Sequence, residues 1–434
     1  GTLPAISATN LTNIPAANIT GTLPAISGAN LTGVTNVNTH DFVADGALPN
    51  GKSVILKADG KVEVVAESSE NTNVDESIPA GSAVVVPTFN NGSQNFPDSA
   101  FDPNTPNKFI MIYSDDGNGY YGTAVVGTVS GTSISWGTPV IYRSASTGLS
   151  RINFDPNNAN KFVIAYDDNT VNGRGMAIVG TMSGTTATFG TAVAFEPAGD
   201  NGIDQVHISF DPNTANKFVV IFKDGDNSHY GTAVVGTLSG TTPSFGTPVV
   251  FNTAQTIYMD IAFDLNTANK CMIVYRDYGN SHRGTAIIGT VSGTSISFGS
   301  EAVYETGEAN YNAVASDPFN ADKFVISYQD YDNSLAATSL VATVSGTSIS
   351  FGTEVISTDD NSVRKIDIAF DPNTENKFVI VNKGNEGSNF NSGCIVVGTI
   401  SGTSISFGSE NVYGGTNSQY LNAIFDSAPA NAGK

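Results

Sequence analysis

Cationic side chains, histidine, cysteine and tryptophan are all scarce in this chain. Nineteen Lys and Arg stand against 40 Asp and Glu, giving a formal charge of −21. With no basic patch anywhere, that balance excludes nucleic acid and anionic membranes as partners, while saying nothing about fold. The four histidines, His40, His207, His229 and His282, form no His-Glu-x-x-His pair and no Cys/His set, which excludes the common zinc centres. The two cysteines, Cys271 and Cys394, each stand for a core residue in a different stretch, so they are expected to be buried thiols and not a disulfide. No run of 18 apolar residues occurs, so membrane insertion by a helix is excluded. There is no Gly-x-Ser-x-Gly elbow and no sustained helical periodicity. The chain lacks an initiator Met and a signal peptide and starts and stops inside repeats, as expected of a fragment.

What is abundant is Gly, 45 of 434 residues, together with Thr, Ser and Asn, a bias toward short strands and tight turns. Hydrophobic residues reach 40%, enough for a large core. Self-similarity orders these residues. "AFDPNTPNKFIMIY" at 100–113 returns five times, each copy trailed by a phrase such as "GTAVVGTVSGTSISWGTPVIY". The marker aspartates are Asp102, Asp155, Asp211, Asp264, Asp317 and Asp371, and Asp426 opens an incomplete copy.

Each unit parses into four strands. Strand A precedes Asp-Pro-Asn, strand B is "NKFVIxY", strand C is "GTAVVGTV" and strand D is "SISFGTPVVF". Asp-Pro-Asn and Ser-Gly-Thr supply the turns, with Pro presetting φ and Gly accepting a positive one. Four antiparallel strands at this period predict an all-β chain, a β-propeller. Six blades are counted directly. Seven result if the D-like strand at 81–91 and the A-like strand at 420–425 seed another.

Residues 1–40 read differently. "GTLPAIS" occurs at 1–7 and 21–27 among Asn-Leu-Thr repeats, and prolines at 4, 15 and 24 forbid a helix. One such chain buries too little to fold alone. These repeats resemble the shafts of bacteriophage tail fibres, residues 44–65 resemble a linker of the same proteins, and the blade phrase resembles repeats of phage and bacterial structural proteins. The resemblance implies a fibre shaft at 1–40, a β-rich linker at 41–80 and a propeller at 81–434. It further implies a homotrimer through the stalk, other virion tail proteins as partners, location in a virion tail or outside the cell, and attachment to a host surface glycan or protein. A secreted or surface lectin-type adhesin is the alternative.

Gly46–Ser53 matches a phosphate-loop pattern, but "SVILKADGKVEVV" follows, a hairpin where that loop needs a helix. The B–C loops carry Asp-x-x-Asn (Asp115 with Asn118, Asp224 with Asn227, Asp277 with Asn280, Asp330 with Asn333), read as side chains capping loop amides, with calcium as the alternative. Catalysis is not expected. Most acids recur at equivalent positions, and the symmetry-breaking set Glu196, Asp200 and Asp204 reads as a solvated loop.

In a propeller the B–C and D–A loops share one face, and here they vary while the opposite turns repeat. Binding is therefore expected on the variable face, where tyrosines including Tyr258 and Tyr311 mix with polar groups. The candidate ligand contacts are Tyr120, Tyr121, Asn227, His229, Tyr230, Tyr278, His282, Arg283 and Tyr331.

Overall fold

A computed structural model describes residues 94–131, 133–196, 199, 201–358, 362–384, 392–413 and 421–427, and three short strands before them. The chain forms two compact units, residues 1–71 and 72–434. In the first, Val54–Leu56 pairs antiparallel with Lys61–Val64, which pairs parallel with Val43–Ala44. The hairpin expected after the phosphate-loop pattern is thus present. The shaft repeats of 1–40, Gly46–Ser53 itself and the D-like strand at 81–91 lie outside the described residues.

The second unit is an all-β propeller. Among the described residues it has no α-helix, only single 3-10 turns in B–C loops such as Asp116–Asn118. Blade 3 is typical. Ile203–Phe210 (A) pairs with Lys217–Asp224 (B), B with Tyr230–Ser239 (C), and C with Thr242–Phe245 (D). Strand D breaks at its Gly and then resumes. In three blades it runs without interruption into strand A of the next, as Val140–Phe154, Val249–Phe263 and Ala302–Ser316.

Strand B explains why these strands are apolar at every position. In blade 2, Phe162, Ile164 and Tyr166 join a core layer with blade 1, while Val163 and Ala165 join the layer with blade 3. Alternate side chains point to opposite faces, and both faces are covered by a neighbour. Each of the largest buried side chains contributes about 1.5–3 kcal/mol on removal from water. Five such layers join blades 1 to 6 among the described residues. The Gly of strand C belongs to this packing. A Cβ at Gly236 would lie 2.1 Å from the Phe218 ring of strand B. In blade 4 the ring is replaced by Cys271, which is fully buried and has its thiol pushed up to about 12 by that burial. Both cysteines are free and buried.

The Asp-Pro-Asn turn does more than reverse the chain. Asp264 Oδ1 accepts the amide of Asn266 at 2.9 Å within its own turn. Its Oδ2 accepts the amide of Asp322 in the next blade at 2.8 Å. Asp102 with Asn160 and Asp211 with Asn269 repeat the bond. The receiving residue sits at positive φ, +64° at Asn160 and +61° at Asp322, a region Asn and Asp tolerate. Every marker aspartate is buried. The same latch settles how the ring closes. Asn107 of blade 1 donates to Asp426 at 2.6 Å, Asn422 donates to Asp98 of blade 1 at 2.8 Å, and Ala423 donates to Asp367 of blade 6 at 2.7 Å. Residues 421–427 are therefore a seventh inner segment between blades 6 and 1.

Candidate functional site at the channel mouth

The inner strands surround a central cavity of about 870 Å³, which Leu421–Ile424 line along with the A strands of all six blades. Counting back from each marker aspartate places its lining in tiers. Two residues before the marker the side chains are small or neutral: Ala100, Asn153, Ser209, Ala262, Ala315, Ala369 and Ile424. Four residues before it lies a belt in which the copies differ: Asp98, Arg151, His207, Asp260, Ala313, Asp367 and Asn422. Six residues before it, at the start of strand A and hence on the side of the variable loops, lie Phe96, Leu149, Gln205, Tyr258, Tyr311 and Lys365.

The belt is built from bonds between inner strands. Asp98 accepts the amide of Ile152 at 2.9 Å, Asp260 that of Val314 at 2.9 Å, and Asp367 that of Ala423. His207 Nδ1 lies 3.2 Å from Asp260 Oδ1. Burial raises the Asp98 carboxyl above its ordinary range. It pushes Asp367 up to about 7, helped by the charges of Asp260 and Asp98. One carboxyl titrating near neutrality, that of Asp367, thus faces the cavity.

The mouth tier is strained. Strand A slips register here in every blade, for example between Ile257 and Asp260 and between Asn310 and Ala313. The slip puts Phe96, Tyr258, Tyr311 and Lys365 at φ of 52°, 50°, 50° and 53°. Such backbone costs on the order of 1–3 kcal/mol per residue and persists only where surroundings enforce it. For Tyr258 the enforcement is visible: its amide donates to Gln205 of blade 3 at 2.9 Å, and its carbonyl accepts from Asn312 of blade 5 at 3.0 Å. The result is an aromatic pair, Tyr258 and Tyr311, with centroids 4.6 Å apart, and Lys365 Nζ 5.7 Å from the Tyr311 centroid. Burial and the neighbouring Tyr311 push the Tyr258 hydroxyl up to about 12.

Beside this pair a side pocket of about 180 Å³ opens between blades 4, 5 and 6. Arg276 Nη1 meets Glu308 at 2.7 Å and donates to Asn310. Asn310 donates to Gln329 at 2.9 Å, and Gln329 to the Val363 carbonyl.

The expected loop contacts do not form one site. Tyr120 and Tyr121 stand on blade 1, Asn227, His229 and Tyr230 on blade 3, Tyr278, His282 and Arg283 on blade 4, and Tyr331 on blade 5. Tyr120, Tyr278 and Tyr331 are exposed, at 47%, 37% and 56%. Two of the nine connect with the side pocket: Tyr278 meets His282 edge to face at 4.2 Å, lies under the Arg276 guanidinium at 4.9 Å, and His282 Nδ1 lies 3.8 Å from Glu308. Arg283 donates to the Thr306 carbonyl, and Asn227 donates its amide to Asp224. His229 shares Asp204 with Lys223, at 3.4 and 2.7 Å.

Three of the four Asp-x-x-Asn loops cap their own turn through the Asp side chain, and Asp115 makes no such cap. Asp277 Oδ1 accepts from Gly279, and Asp330 Oδ1 from Asp332 and Asn333. Asp330 also belongs to the one group of three acids within 4.8 Å among the described residues, with Glu305 and Glu354. Tyr328 donates to Glu305 there at 3.1 Å, and burial raises Asp330. Of the acids weighed for catalysis, Glu196 is buried and pushed up to about 7 by that burial, Asp204 pairs with Lys223, and Asp200 lies outside the described residues.

No family model matches the sequence, and no curated protein does. Solved structures do. The BP39L lectin of Burkholderia pseudomallei aligns with a TM-score of 0.58 at 9% identity, over 75% of this chain and 86% of its own. Two putative 6-phosphogluconolactonases also align. The Bacteroides uniformis protein has a TM-score of 0.52 at 11% identity, over 73% of this chain and 85% of its own. The Bacteroides fragilis protein has 0.51 at 8%, over 73% and 86%. The likeness shows the fold. It also corrects the expectation that the chain is not an enzyme, because a scaffold shared with putative lactonases does not exclude catalysis. That expectation leaned on acids repeating from copy to copy, and the channel belt is where they do not.

Proposed function

We propose that the propeller is a carbohydrate-recognition head, of the kind a secreted or surface lectin-type adhesin presents, with the ligand lying across the channel mouth. One observation carries this reading: two aromatic rings held together by strained backbone, beside convergent amide, guanidinium and carboxylate groups. Rings give a sugar an apolar face to stack on, and fixed polar groups read its hydroxyls. The likeness to a protein named a lectin supports the reading at the level of scaffold. The test is a bacterial glycan array probed with the full chain and with Tyr311→Gly. Retention of some glycans by the native chain and not by the variant is expected; equal retention by both would remove the mouth from the reading, and no retention at all would sink it.

A second reading rests on the Asn-Leu-Thr shaft repeats: the same head on a trimeric stalk, as a phage tail fibre that attaches to host cells. Mass spectrometry of purified virions and light scattering of the full chain test it. Absence from particles, or a monomer, would leave the adhesin reading alone.

A further inference from the structure

The charge around the mouth runs against that of the whole chain, whose formal net value is −21. The side pocket is lined by two guanidinium groups, Arg276 and Arg364, and by one carboxylate, Glu308. Lys365 stands next to Arg364 and over the Tyr311 ring. Its ammonium is held below its ordinary range, first by burial and then by the charges of Arg151 and Lys383, so further cations reach the same mouth. Arg276 is the more deeply set of the two guanidinium groups. It is only 8% exposed. Its Nη1 is committed to Glu308 and Asn310, yet its Nε is buried with no hydrogen-bond partner. A buried donor without an acceptor is costly, and a charged one more so. Arg276 thus sits with its charge incompletely answered, and with Arg364 it leaves the pocket lining net positive, which a ligand anion would balance.

We propose that the side pocket receives the carboxylate of an acidic saccharide, a uronic acid, whose ring packs on Tyr258 and Tyr311. The planar guanidinium suits a carboxylate, which offers two oxygens in one plane. Glu308 answers one of the two guanidinium charges that line the pocket and leaves the other for the ligand. The cavity of about 180 Å³ takes one substituted ring, and the rest of the saccharide lies over the open mouth. Selectivity comes from the pocket and general sugar affinity from the tyrosine pair. The proposal rests on the carbohydrate reading and adds the class of sugar to it.

Calorimetric titration of the full chain with digalacturonate, neutral galactobiose and inorganic phosphate separates the alternatives. Digalacturonate is expected to bind about tenfold or more tighter than galactobiose, the increment of one charge-assisted contact. Arg364→Gln, at an exposed position, keeps the thermal transition and abolishes that preference without changing galactobiose affinity. Arg276→Gln should do the same where it still folds. Equal binding of the two sugars, or a preference that survives Arg364→Gln, overturns the acidic-sugar assignment and leaves carbohydrate recognition standing. Phosphate that binds as tightly as digalacturonate overturns it in favour of a simple anion site. If neither disaccharide binds but the array retains other glycans, only the assignment falls; if the array is empty too, both fall.

Discussion

The two ends of the channel are made of the same strands and follow opposite rules. At the turn end the buried aspartates are engaged within the ring: Asp264 accepts from Asn266, Thr267 and Asp322. At the mouth the inner strand slips register, the backbone is strained, and Arg276 Nε and Asn312 Oδ1 are buried without partners. Saturated hydrogen bonding marks the end that holds the ring together, and unsatisfied, strained geometry marks the end that can bind.

Deleting 421–434 should have the largest effect, because it removes four bonds that tie blade 6 to blade 1 through the seventh segment. A loss of about 5 kcal/mol or more is expected, read as a collapsed thermal transition and dye binding to exposed strand edges. Retention of the native transition would mean that ring closure lies elsewhere. Next is Asp264→Ala, which orphans three amides at a fully buried site and should cost about 3–5 kcal/mol in denaturant unfolding. Asp204→Ala on the variable face, half-exposed and paired with Lys223, should cost less than about 1 kcal/mol. Similar costs for the two would erase the contrast between the ends.

Tyr311→Gly should change stability by less than about 1 kcal/mol, since relief of a 50° φ offsets lost packing. Tyr275→Ala, in the fully buried layer, should cost about 3–5 kcal/mol. If Tyr311 proved as costly as Tyr275, the mouth pair would be core and not site. The smallest effect concerns pH. Asp367 titrates near 7 in the folded chain and near 3.8 when unfolded, so the folded form holds its proton more tightly. Its contribution is favourable below about pH 4 and is lost as pH rises through 7. The difference in melting temperature between pH 5 and pH 8 should shrink in Asp367→Asn; an unchanged difference would place the carboxylate in water.

The strands, their order and the blade were legible because period-two apolar patterning and turn residues recur six times. The latch was only half legible. Asp-Pro-Asn reads as a turn, and nothing local tells that Asp102 Oδ2 bonds Asn160 of the next copy. The belt escaped because the inner strand was read by its apolar residues. Aligning the copies on the marker aspartate shows Asp98, Arg151, His207, Asp260 and Asp367 at one position, and that was the available signal. Tyr258 and Tyr311 were noticed as variable-face aromatics but not as a pair, since their meeting depends on a bulge and on the ring bringing copies 53 residues apart together. The loop residues chosen instead were the ones that stand out in the variable loops, and only four of the nine are exposed.

The latch also bears on how such a chain can change over generations. At four junctions the carboxylate comes from one copy and the amide from the next, and both come from nearly identical phrases. Copies can therefore be exchanged by recombination between repeats without inventing a new junction. Each exchange replaces a belt residue, a mouth residue and two loops at once. The repetitive end thus acts as a standard coupling, and novelty accumulates at the other end of the same strands.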